Sequence, residues 1–446
     1  MDDRRTGAKA RPGPRPAAKP APRPGLAPRM AALELVGAVL DNGEMLSVVL
    51  EASNGPLHGL GPEDRARAQR LALTTLRHLG RADACLKPYL RKAPPPVVHN
   101  ILRLATVELC EDRAAAHGVV DCAVALTRGG YTRQAGLVNA VLRSVSIEGR
   151  ERWADLPAPR LPGWLRGRML SAYGAKTVAA IEAVQTGTPP LDLTLKQGTD
   201  AAALADALGG VLLPTGSLRL AAGGQVSALD GYESGDWWVQ DAAAALPARL
   251  LAAQSGERVL DLCAAPGGKT LQLADAGAEV TALDISGPRL ARLLDNLERT
   301  GLTAEVVTAD ALVWQSGPFD AVLLDAPCSA TGTIRRHPDL PYVKDASDIK
   351  ALALLQGQMI DRAMTLLQPG GRLVFCTCSL LPDEGEAQIT AALARHPDLT
   401  LDDAALAAEW IDPAWRAPNG LRIRPDHWAD TGGIDGFFIS ALRKSR

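Results

Sequence analysis

The sequence predicts an α/β domain built on a parallel, doubly wound sheet, preceded by an all-helical domain and a small α+β module. Three observations support this fold class. Six short apolar segments alternate with helical segments after residue 239, which is typical of parallel strands covered by helices on both faces. Residues 31–147 carry apolar residues at helical spacing, and the segment between these two regions mixes both periodicities.

The first 29 residues form a basic, proline-rich tail. They hold seven prolines and eight Lys or Arg residues against two acids, Asp2 and Asp3. Such a segment cannot bury a core, so we expect it to be disordered. Two interpretations stay open: a basic arm attracted to RNA phosphates, or a solvated tail without a role.

Residues 30–147 are expected to form the helical domain. Apolar residues recur at i, i+3, i+4 and i+7 in LELVGAVLDNGEMLSVVLE, ARAQRLALTTLRHLG, NILRLATVELCED and QAGLVNAVLRSV. Gly and Pro clusters at 54–62 and 93–96 separate these segments. The pattern predicts at least five helices.

Residues 148–238 form the small α+β module, and residues 239–446 form the α/β domain. In the module, 162–184 and 200–210 are predicted helices, whereas 191–196 and the stretch leading to Trp237 and Trp238 are predicted strands. The predicted strands of the α/β domain are 258–264, 279–285, 305–311, 319–327, 371–379 and 437–444.

Composition limits the function classes. The chain has 446 residues, 47% of them hydrophobic, and a formal net charge of -2. A uniformly basic nucleic-acid binder is therefore not expected, and any RNA contact must use local patches. Seven scattered cysteines without a C-x2-C pair argue against a zinc ribbon, so we expect no metal. Without a signal peptide or a membrane-length apolar run, we expect a cytoplasmic protein with reduced thiols and no membrane partner. We also expect a monomer.

The segment VLDLCAAPGGKT, residues 259–270, reads as a strand, a turn and the start of a helix that together bind a cofactor. Gly267 and Gly268 allow close backbone approach, Pro266 stiffens the turn, and the helix from about Lys269 offers free N–H groups. A P-loop would need glycine where Cys263 stands, and G-x-G-x-x-G is absent.

Acids follow three successive strands at the edge where ligands of such sheets bind. Asp261 closes the first strand, Asp284 closes the second, and Asp310 follows the third. A carboxylate such as Asp284 suits a ribose diol, and Asp310 is placed to meet an adenine amino group. Together with the loop, these acids predict S-adenosyl-L-methionine as cofactor and a methyltransferase as the activity.

Cysteines follow the next two strands. The fourth strand leads into Asp325 and Cys328, and the fifth ends in Cys376 and Cys378. An Asn/Asp-Pro-Pro-aromatic turn, which amine methyltransferases place after the fourth strand, is absent. A thiolate that adds to C6 of cytosine makes C5 nucleophilic, so the cysteines predict carbon methylation. Asp325 is then the acid near N3, and the chemistry leaves open which thiol attacks.

Several of these side chains have a simpler expected role. We expect Cys85, Cys110, Cys122 and Cys376 to be small buried hydrophobes, and Cys263 to contact the cofactor through its backbone. A zinc site of Cys328, Cys376 and Cys378 would lack an obvious fourth ligand. His337 is expected to be a surface loop residue rather than a catalytic base.

These motifs resemble those of bacterial 16S ribosomal RNA cytosine-C5 methyltransferases of the RsmB/Sun (NOL1/NOP2/Sun) family. The matching segments are DLCAAPGGKT, DAPCSATG (325–332), TCSL (377–380), WVQDAAAALPARLL (238–251) and DGFFISALRK (435–444). Residues 31–147, ending in LVNAVLR, are similar to the NusB-like RNA-binding domain of that family. The resemblance therefore implies a Rossmann-like class I methyltransferase domain behind a NusB-like helical domain.

The resemblance also implies residue roles. Cys378 would be the nucleophile, and Cys328, the runner-up for that role, would assist product release. The implied cofactor contacts are Cys263, Ala264, Ala265, Pro266, Gly267, Gly268, Lys269, Asp284, Asp310 and Asp325. Two departures from the family pattern stand out: LPYVK follows IRRHPD (334–339), and Cys376 precedes Thr377 where Ala or Ser is commoner.

The resemblance implies RNA as partner, with small-subunit ribosomal RNA as substrate and the target base unstacked for reaction. Arg335 and Arg336, beside the reaction site, are the preferred RNA contacts, followed by the tail and by Arg65, Arg67 and Arg70. Two alternatives stay open. One is a transfer RNA cytosine-C5 methyltransferase, and the other is a non-catalytic NusB-like RNA-binding assembly factor.

Overall fold

A computed structural model describes residues 23–221 and 224–446 of the chain. The N-terminal part is helical, as predicted, and holds more helices than the minimum of five. They are α1 (Leu26–Leu40), α2 (Leu46–Glu51), α3 (Pro62–Arg77), α4 (Leu79–Leu86), α5 (Pro96–Cys110), α6 (Ala116–Leu126) and α7 (Ala135–Asp155). Apolar stripes of α4, α5, α6 and α7 meet in one core, and those of α1, α2 and α3 form a second core beside it.

The start of α1 corrects the predicted tail. Residues 26–29 are helical rather than disordered, and Arg29 is buried. Its guanidinium donates to both carboxylate oxygens of Glu108 on α5, at 2.5 and 2.7 Å. Arg29 is therefore a structural cation, not part of a mobile basic arm. The tail prediction for residues 1–22 lies outside the described residues.

The middle module contains a long helix and a small antiparallel sheet. Its elements are α8 (Gly163–Val184), β1 (Leu191–Leu195), α9 (Ala201–Leu208), β2 (Val211–Leu212), β3 (Leu218–Leu220) and β4 (Trp237–Val239). The strand order is β2-β3-β1-β4. Gly174, at φ +76°, breaks α8 into two segments, in agreement with the several helices predicted for 162–184.

The C-terminal part is a large sheet with helices on both faces. Its strands are β5 (Arg258–Leu262), β6 (Glu279–Asp284), β7 (Glu305–Thr308), β8 (Phe319–Asp325), β9 (Leu367–Thr377), β10 (Leu399–Leu401), β11 (Arg416–Ala417), β12 (Gly420–Ile423) and β13 (Phe437–Lys444). Its helices are α10 (Ala242–Leu251), α11 (Gly268–Asp275), α12 (Gly287–Thr300), α13 (Leu340–Val343), α14 (Ile349–Leu366), α15 (Glu386–Arg395) and α16 (Asp403–Leu406).

The order of the main strands is β11-β12-β13-β9-β8-β5-β6-β7. Strands β5 to β9 pair in parallel, as predicted. The prediction of an entirely parallel sheet is wrong at the other end, because β13 runs antiparallel to β9 and β12 runs antiparallel to β13. The sheet is therefore mixed, with its parallel part carrying the predicted motifs.

Alternate side chains of each central strand pack into two different cores, one on each face of the sheet. On β5, Val259 points to the core under α10, whereas Leu260 and Leu262 point to the core under α14 and α15. This double burial explains why the strands read as continuous apolar runs.

Helix α2 connects the helical part to the edge of the large sheet at which β5, β6 and β8 end. At its start, the Leu46 N–H donates to the buried carboxylate of Asp339, at 2.9 Å. At its end, Glu51 accepts from Arg292 on α12, at 2.5 Å. Nearby, Tyr342 donates to the carbonyl of Leu76. The helical part thus touches both sides of the edge where β5, β6 and β8 end.

Candidate active site

The loop Cys263–Lys269 lies at the carboxyl end of β5, as predicted. Cys263 adopts φ +63° and Gly267 φ +107°, both in the left-handed region. A Cβ atom at Gly267 would come within 2.4 Å of Leu293 on α12, so only glycine fits. The loop is fastened to β6 because the Ala265 N–H donates to Asp284, at 3.1 Å.

Asp261, the last acid of β5, is fully buried beneath this loop. One of its carboxylate oxygens accepts from the Thr270 hydroxyl at 2.6 Å, and the other has no partner among the described residues. Burial, opposed by the Thr270 hydrogen bond and by Lys269, raises the pKa of Asp261 to about 7. Sequence reasoning placed Asp261 at this edge but not among the site residues.

Asp284 and Asp310 lie on the β6–β7 side of the loop. Asp284 is buried, accepts from Ala265 and Ser286, and lies 3.7 Å from the guanidinium of Arg289. Asp310 is exposed and accepts from the Leu312 N–H. Neither acid lines the cleft beside the loop. Their roles as cofactor contacts stay predictions.

Asp325 ends β8 and faces the same cleft. It accepts a 2.7 Å hydrogen bond from the Lys269 ammonium, and the Cys376 thiol lies 3.5 Å from its other oxygen. Burial acts to lower the pKa of Lys269, but the nearby Asp325 outweighs it, so the pKa is raised above its ordinary value. Lys269 is therefore a fixed cation at the centre of the site.

The thiols of Cys328 and Cys378 lie 3.5 Å apart, sulfur to sulfur. Both are partly exposed, whereas Cys376 is fully buried. The hydrogen bond to Cys378, burial and the charges of Cys378 and Glu384 raise the pKa of Cys328 well above its ordinary value. The structure thus brings together the two cysteines that the sequence singled out.

Gly332 holds the two cysteine-bearing segments together. Its N–H donates to the carbonyl of Cys378, and its carbonyl accepts from the Gly436 N–H, both at 2.9 Å. A Cβ atom at this position would lie 2.0 Å from the Gly436 oxygen and 2.8 Å from the Cys378 oxygen. The close backbone approach therefore depends on glycine.

Arg335 is not available for RNA, contrary to the prediction. Its side chain is 1% exposed and forms ion pairs with Asp241 and Asp435. Arg336 pairs with Asp435 as well, but its side chain is 37% exposed and lines the cleft. The neighbouring arginines thus differ: Arg335 joins three distant segments, and Arg336 faces the site.

His337 also differs from expectation. It lies on the wall of the cleft rather than on an outer loop. Burial and the neighbouring Arg336 lower the pKa of His337, which favours the neutral imidazole.

The cleft encloses about 500 Å³, a volume suited to a small-molecule ligand. Residues that sequence reasoning did not assign to the site contribute to its wall: Met45, Ser47, Val239, Gln240, Asp261 and Phe437. Met45 and Ser47 flank the start of α2, so the helical part contributes to the same cleft as the cofactor loop. Nothing in their local sequence signals this position.

The remaining cysteines behave as predicted, since Cys85, Cys110 and Cys122 are buried. Within residues 23–221 and 224–446, no three His, Cys, Asp or Glu side chains are grouped to hold a metal ion. Over the same ranges, none of the helices combines the length and apolarity needed to cross a bilayer. Arg65 and Arg70 lie exposed on α3, whereas Arg67 donates to Glu108 at 3.0 Å.

Comparison with known proteins places this architecture in a family. A family model described as 16S rRNA methyltransferase RsmB/F matches residues 248–443, and a NusB family model matches residues 26–146. The chain is 39% identical to ribosomal RNA small subunit methyltransferase B of Sodalis glossinidius, over 93% of this chain and 97% of that protein. The chain belongs to the RsmB/F family of 16S rRNA methyltransferases.

Other relatives agree with membership of the RsmB/F family. The protein of the same description from Pseudomonas putida is 38% identical over 94% of this chain and 98% of its own length. A crystal structure described as PH0851 shares the fold, with a TM-score of 0.73 and 21% identity over 94% of this chain and 99% of that one. The predicted NusB-like and methyltransferase parts are thereby confirmed.

Proposed function

We propose that this RsmB/F family member transfers a methyl group from S-adenosyl-L-methionine to C5 of a cytosine in 16S ribosomal RNA. The observation that carries the proposal is the pair of thiols, Cys328 and Cys378, held 3.5 Å apart beside the Gly-rich loop. Methylation of an amine needs no thiol, whereas methylation of C5 needs a nucleophile that can add to C6 and later leave.

The residues beside the loop fit the proposed cofactor. Gly267 and Gly268 leave the backbone bare, and the second oxygen of buried Asp261 has no partner among the described residues, so it can accept from an amino group. Residues Cys263–Lys269 would hold the methionine part, with Asp284 and Asp310 on the adenosine side. When bound, the cofactor supplies an electrophilic methyl group to the cleft.

Cys378 is the proposed nucleophile. Its thiolate donates an electron pair to C6, and the π electrons of the C5–C6 bond become available at C5. A cofactor held by Cys263–Lys269 would supply the methyl group that C5 takes up, and its sulfur would keep the electrons of the bond to that methyl group. Since Cys378 and the loop line the same cleft, a cytosine bound there can meet both the thiol and the proposed cofactor.

Lys269 and Asp325 would orient the cytosine. Asp325 is held as an acceptor by Lys269 and can receive hydrogen bonds from the exocyclic amine or a protonated N3. The ammonium of Lys269 stabilises negative charge that develops on the ring as the thiolate adds. A uracil, which presents a carbonyl where cytosine has the amine, would face the Asp325 carboxylate unfavourably.

Cys328 is suited to the second half of the reaction. After methyl transfer, C5 carries both a methyl group and a hydrogen. Transfer of that proton to water returns the electron pair to the C5–C6 bond and expels Cys378 as thiolate. Cys328, at hydrogen-bonding distance from Cys378, is the proposed group that assists this release.

Ribosomal RNA is the preferred substrate because the family and the curated relatives carry 16S or small-subunit rRNA names. The NusB match and exposed Arg336, Arg65 and Arg70 suit an RNA ligand. A ribosomal substrate agrees with the cytoplasmic location expected from the sequence.

Bisulfite sequencing of ribosomal and transfer RNA from a strain lacking the gene tests the proposal. We expect one or more 16S cytosines to lose protection and to regain it on complementation with the intact gene but not with the Cys378→Ala variant. Loss of protection in transfer RNA alone would identify transfer RNA, and not 16S ribosomal RNA, as the substrate. Unchanged methylation in both RNAs would favour the RNA-binding assembly factor.

A further inference from the structure

Glu384 is a buried carboxylate beneath both cysteine-bearing segments. It lies in the turn after β9 and is 0% exposed. Its oxygens accept from the Ser329 N–H at 2.9 Å, the Ser329 hydroxyl at 2.5 Å, the Ser379 hydroxyl at 2.5 Å and the Gln356 amide at 3.2 Å. Four donors make this carboxylate a heavily satisfied buried anion.

The two serines among these donors link Glu384 to the two cysteines. Ser329 directly follows Cys328, and Ser379 directly follows Cys378. The two hydroxyls also lie 3.2 Å from each other. One carboxylate therefore fixes the residue after each active-site thiol, although the thiols come from strands separated by α14 in the sequence.

The charge of Glu384 is not neutralised by an ion pair with any Lys, Arg or His in the part of the chain that the structure describes. The charged groups nearest the thiols are otherwise committed: Lys269 pairs with Asp325, and Arg336 pairs with Asp435. Arg422 donates to the Ser379 carbonyl but pairs with Glu386. His337, on the cleft wall, favours its neutral form.

We propose that Glu384 is a positioning residue that assigns the cysteines their roles, keeping the proton on Cys328 and leaving Cys378 to attack. This inference rests on the proposed function. Glu384 holds Ser329 by both its N–H and its hydroxyl but holds Ser379 by the hydroxyl alone, so its contact with the Cys328 segment is the more extensive, and a negative charge beside a thiol opposes ionisation. The charge of Glu384 is among the causes that raise the pKa of Cys328.

The role assignment explains how two neighbouring thiols avoid competing for C6. Only a thiolate is nucleophilic, so the thiol that keeps its proton cannot attack. A protonated Cys328 can instead donate a hydrogen bond to the thiolate of Cys378, as the 3.5 Å separation of the two sulfur atoms permits.

Iodoacetamide alkylation of the reduced, full-length protein, followed by peptide mass spectrometry at several pH values, tests the proposal without RNA or cofactor. In the native protein Cys378 should react faster than Cys328. In Glu384→Gln the ratio of the Cys328 rate to the Cys378 rate should rise about tenfold, because a larger fraction of Cys328 is then thiolate. Faster labelling of Cys328 in the native protein would overturn the assignment.

Matched variants separate charge from folding. Asp383→Asn removes a carboxylate from the adjacent, exposed position and should leave the ratio unchanged. Protection of buried Cys85 and Cys110 reports that each variant is folded. If Glu384→Gln unfolds, Glu384→Asp tests the proposal instead. The shorter side chain moves the charge back by one methylene, so the ratio of the Cys328 rate to the Cys378 rate should rise about threefold.

The outcomes also separate this inference from the proposed function. A native rate ratio in folded Glu384→Gln or Glu384→Asp would overturn the role of Glu384, even with 16S cytosine methylation intact. Absence of cytosine methylation in the native strain would overturn the proposed function, whatever the alkylation rates.

Discussion

The sulfur atoms of Cys328 and Cys378 lie 3.5 Å apart at the ends of two adjacent parallel strands, β8 and β9. Asp325 pairs with Cys376 in that register, so the segments that carry Cys328 and Cys378 leave the two strands at the same height of the sheet. The Gly332 contacts and the Glu384 carboxylate then hold the loops beyond the strands. The two thiols are thus positioned by backbone pairing as well as by their immediate neighbours.

Removal of each thiol is expected to block a different step of the reaction. Cys328→Ala should accumulate a covalent protein–RNA adduct that survives denaturing electrophoresis, because addition to C6 proceeds and release is slowed. Cys378→Ala should form no adduct. Cys376→Ala is the control, since its buried thiol should be dispensable for adduct formation. An adduct in Cys378→Ala would exchange the two roles.

Arg335 is expected to support stability rather than RNA affinity. Arg335→Met leaves the buried carboxylates of Asp241 and Asp435 with less compensation, so the free energy of unfolding should fall by about 3–5 kcal/mol in urea titrations. Arg336→Met is the matched variant: it should weaken RNA binding and reduce the salt dependence of binding by about one phosphate contact. Normal stability with weakened RNA binding in Arg335→Met would restore the original sequence prediction.

Asp261 should make stability depend on pH. Its pKa is about 7 in the folded chain and near 3.8 when unfolded, so the folded state binds the proton more tightly. Its contribution is fully present below about pH 4 and is lost as pH rises through 7, by an amount on the order of a few kcal/mol. Urea unfolding of the cofactor-free protein at pH 5 and pH 8 measures it. The pH difference should shrink in Asp261→Asn; an equal difference in both proteins would contradict the assignment.

Gly332→Ala should displace the Cys378 segment. The added Cβ would meet two backbone oxygens at 2.0 and 2.8 Å, which cannot be relieved by moving a side chain. We expect methyl transfer to fall about 100-fold, the effect of misplacing a reacting group by about 1 Å. Gly167→Ala, in an open helical position of α8, should be neutral or slightly stabilising. Full activity in Gly332→Ala would show that the segment tolerates the shift.

Sequence patterns identified the strands that carry the site because buried parallel strands leave long apolar runs. They could not give the direction of β13, since FFISALRK is equally apolar in either orientation. The Gly-rich loop, Asp325 and both cysteines were found because local motifs mark them.

The sequence patterns did not reveal the positions of side chains that are held by partners distant in the sequence. Arg335 and Arg336 are adjacent and both pair with Asp435, but the buried one, Arg335, also pairs with Asp241, which lies 94 residues away in the sequence. Likewise, Met45 lies at the cleft, where the neighbouring Leu46 N–H is held by the distant Asp339. Such long-range contacts leave no trace in a local pattern.

The placement of β13 between β12 and β9 has a consequence for synthesis on the ribosome. When Cys378 leaves the exit tunnel, every thiol of the site has been made, but β9 still has an open edge beside it. That edge closes only after residues 437–444 emerge, bringing Asp435 to Arg335 and Phe437 to the cleft. A nascent chain at this stage carries every thiol of the site while the open edge of β9 is exposed to wrong strand pairing.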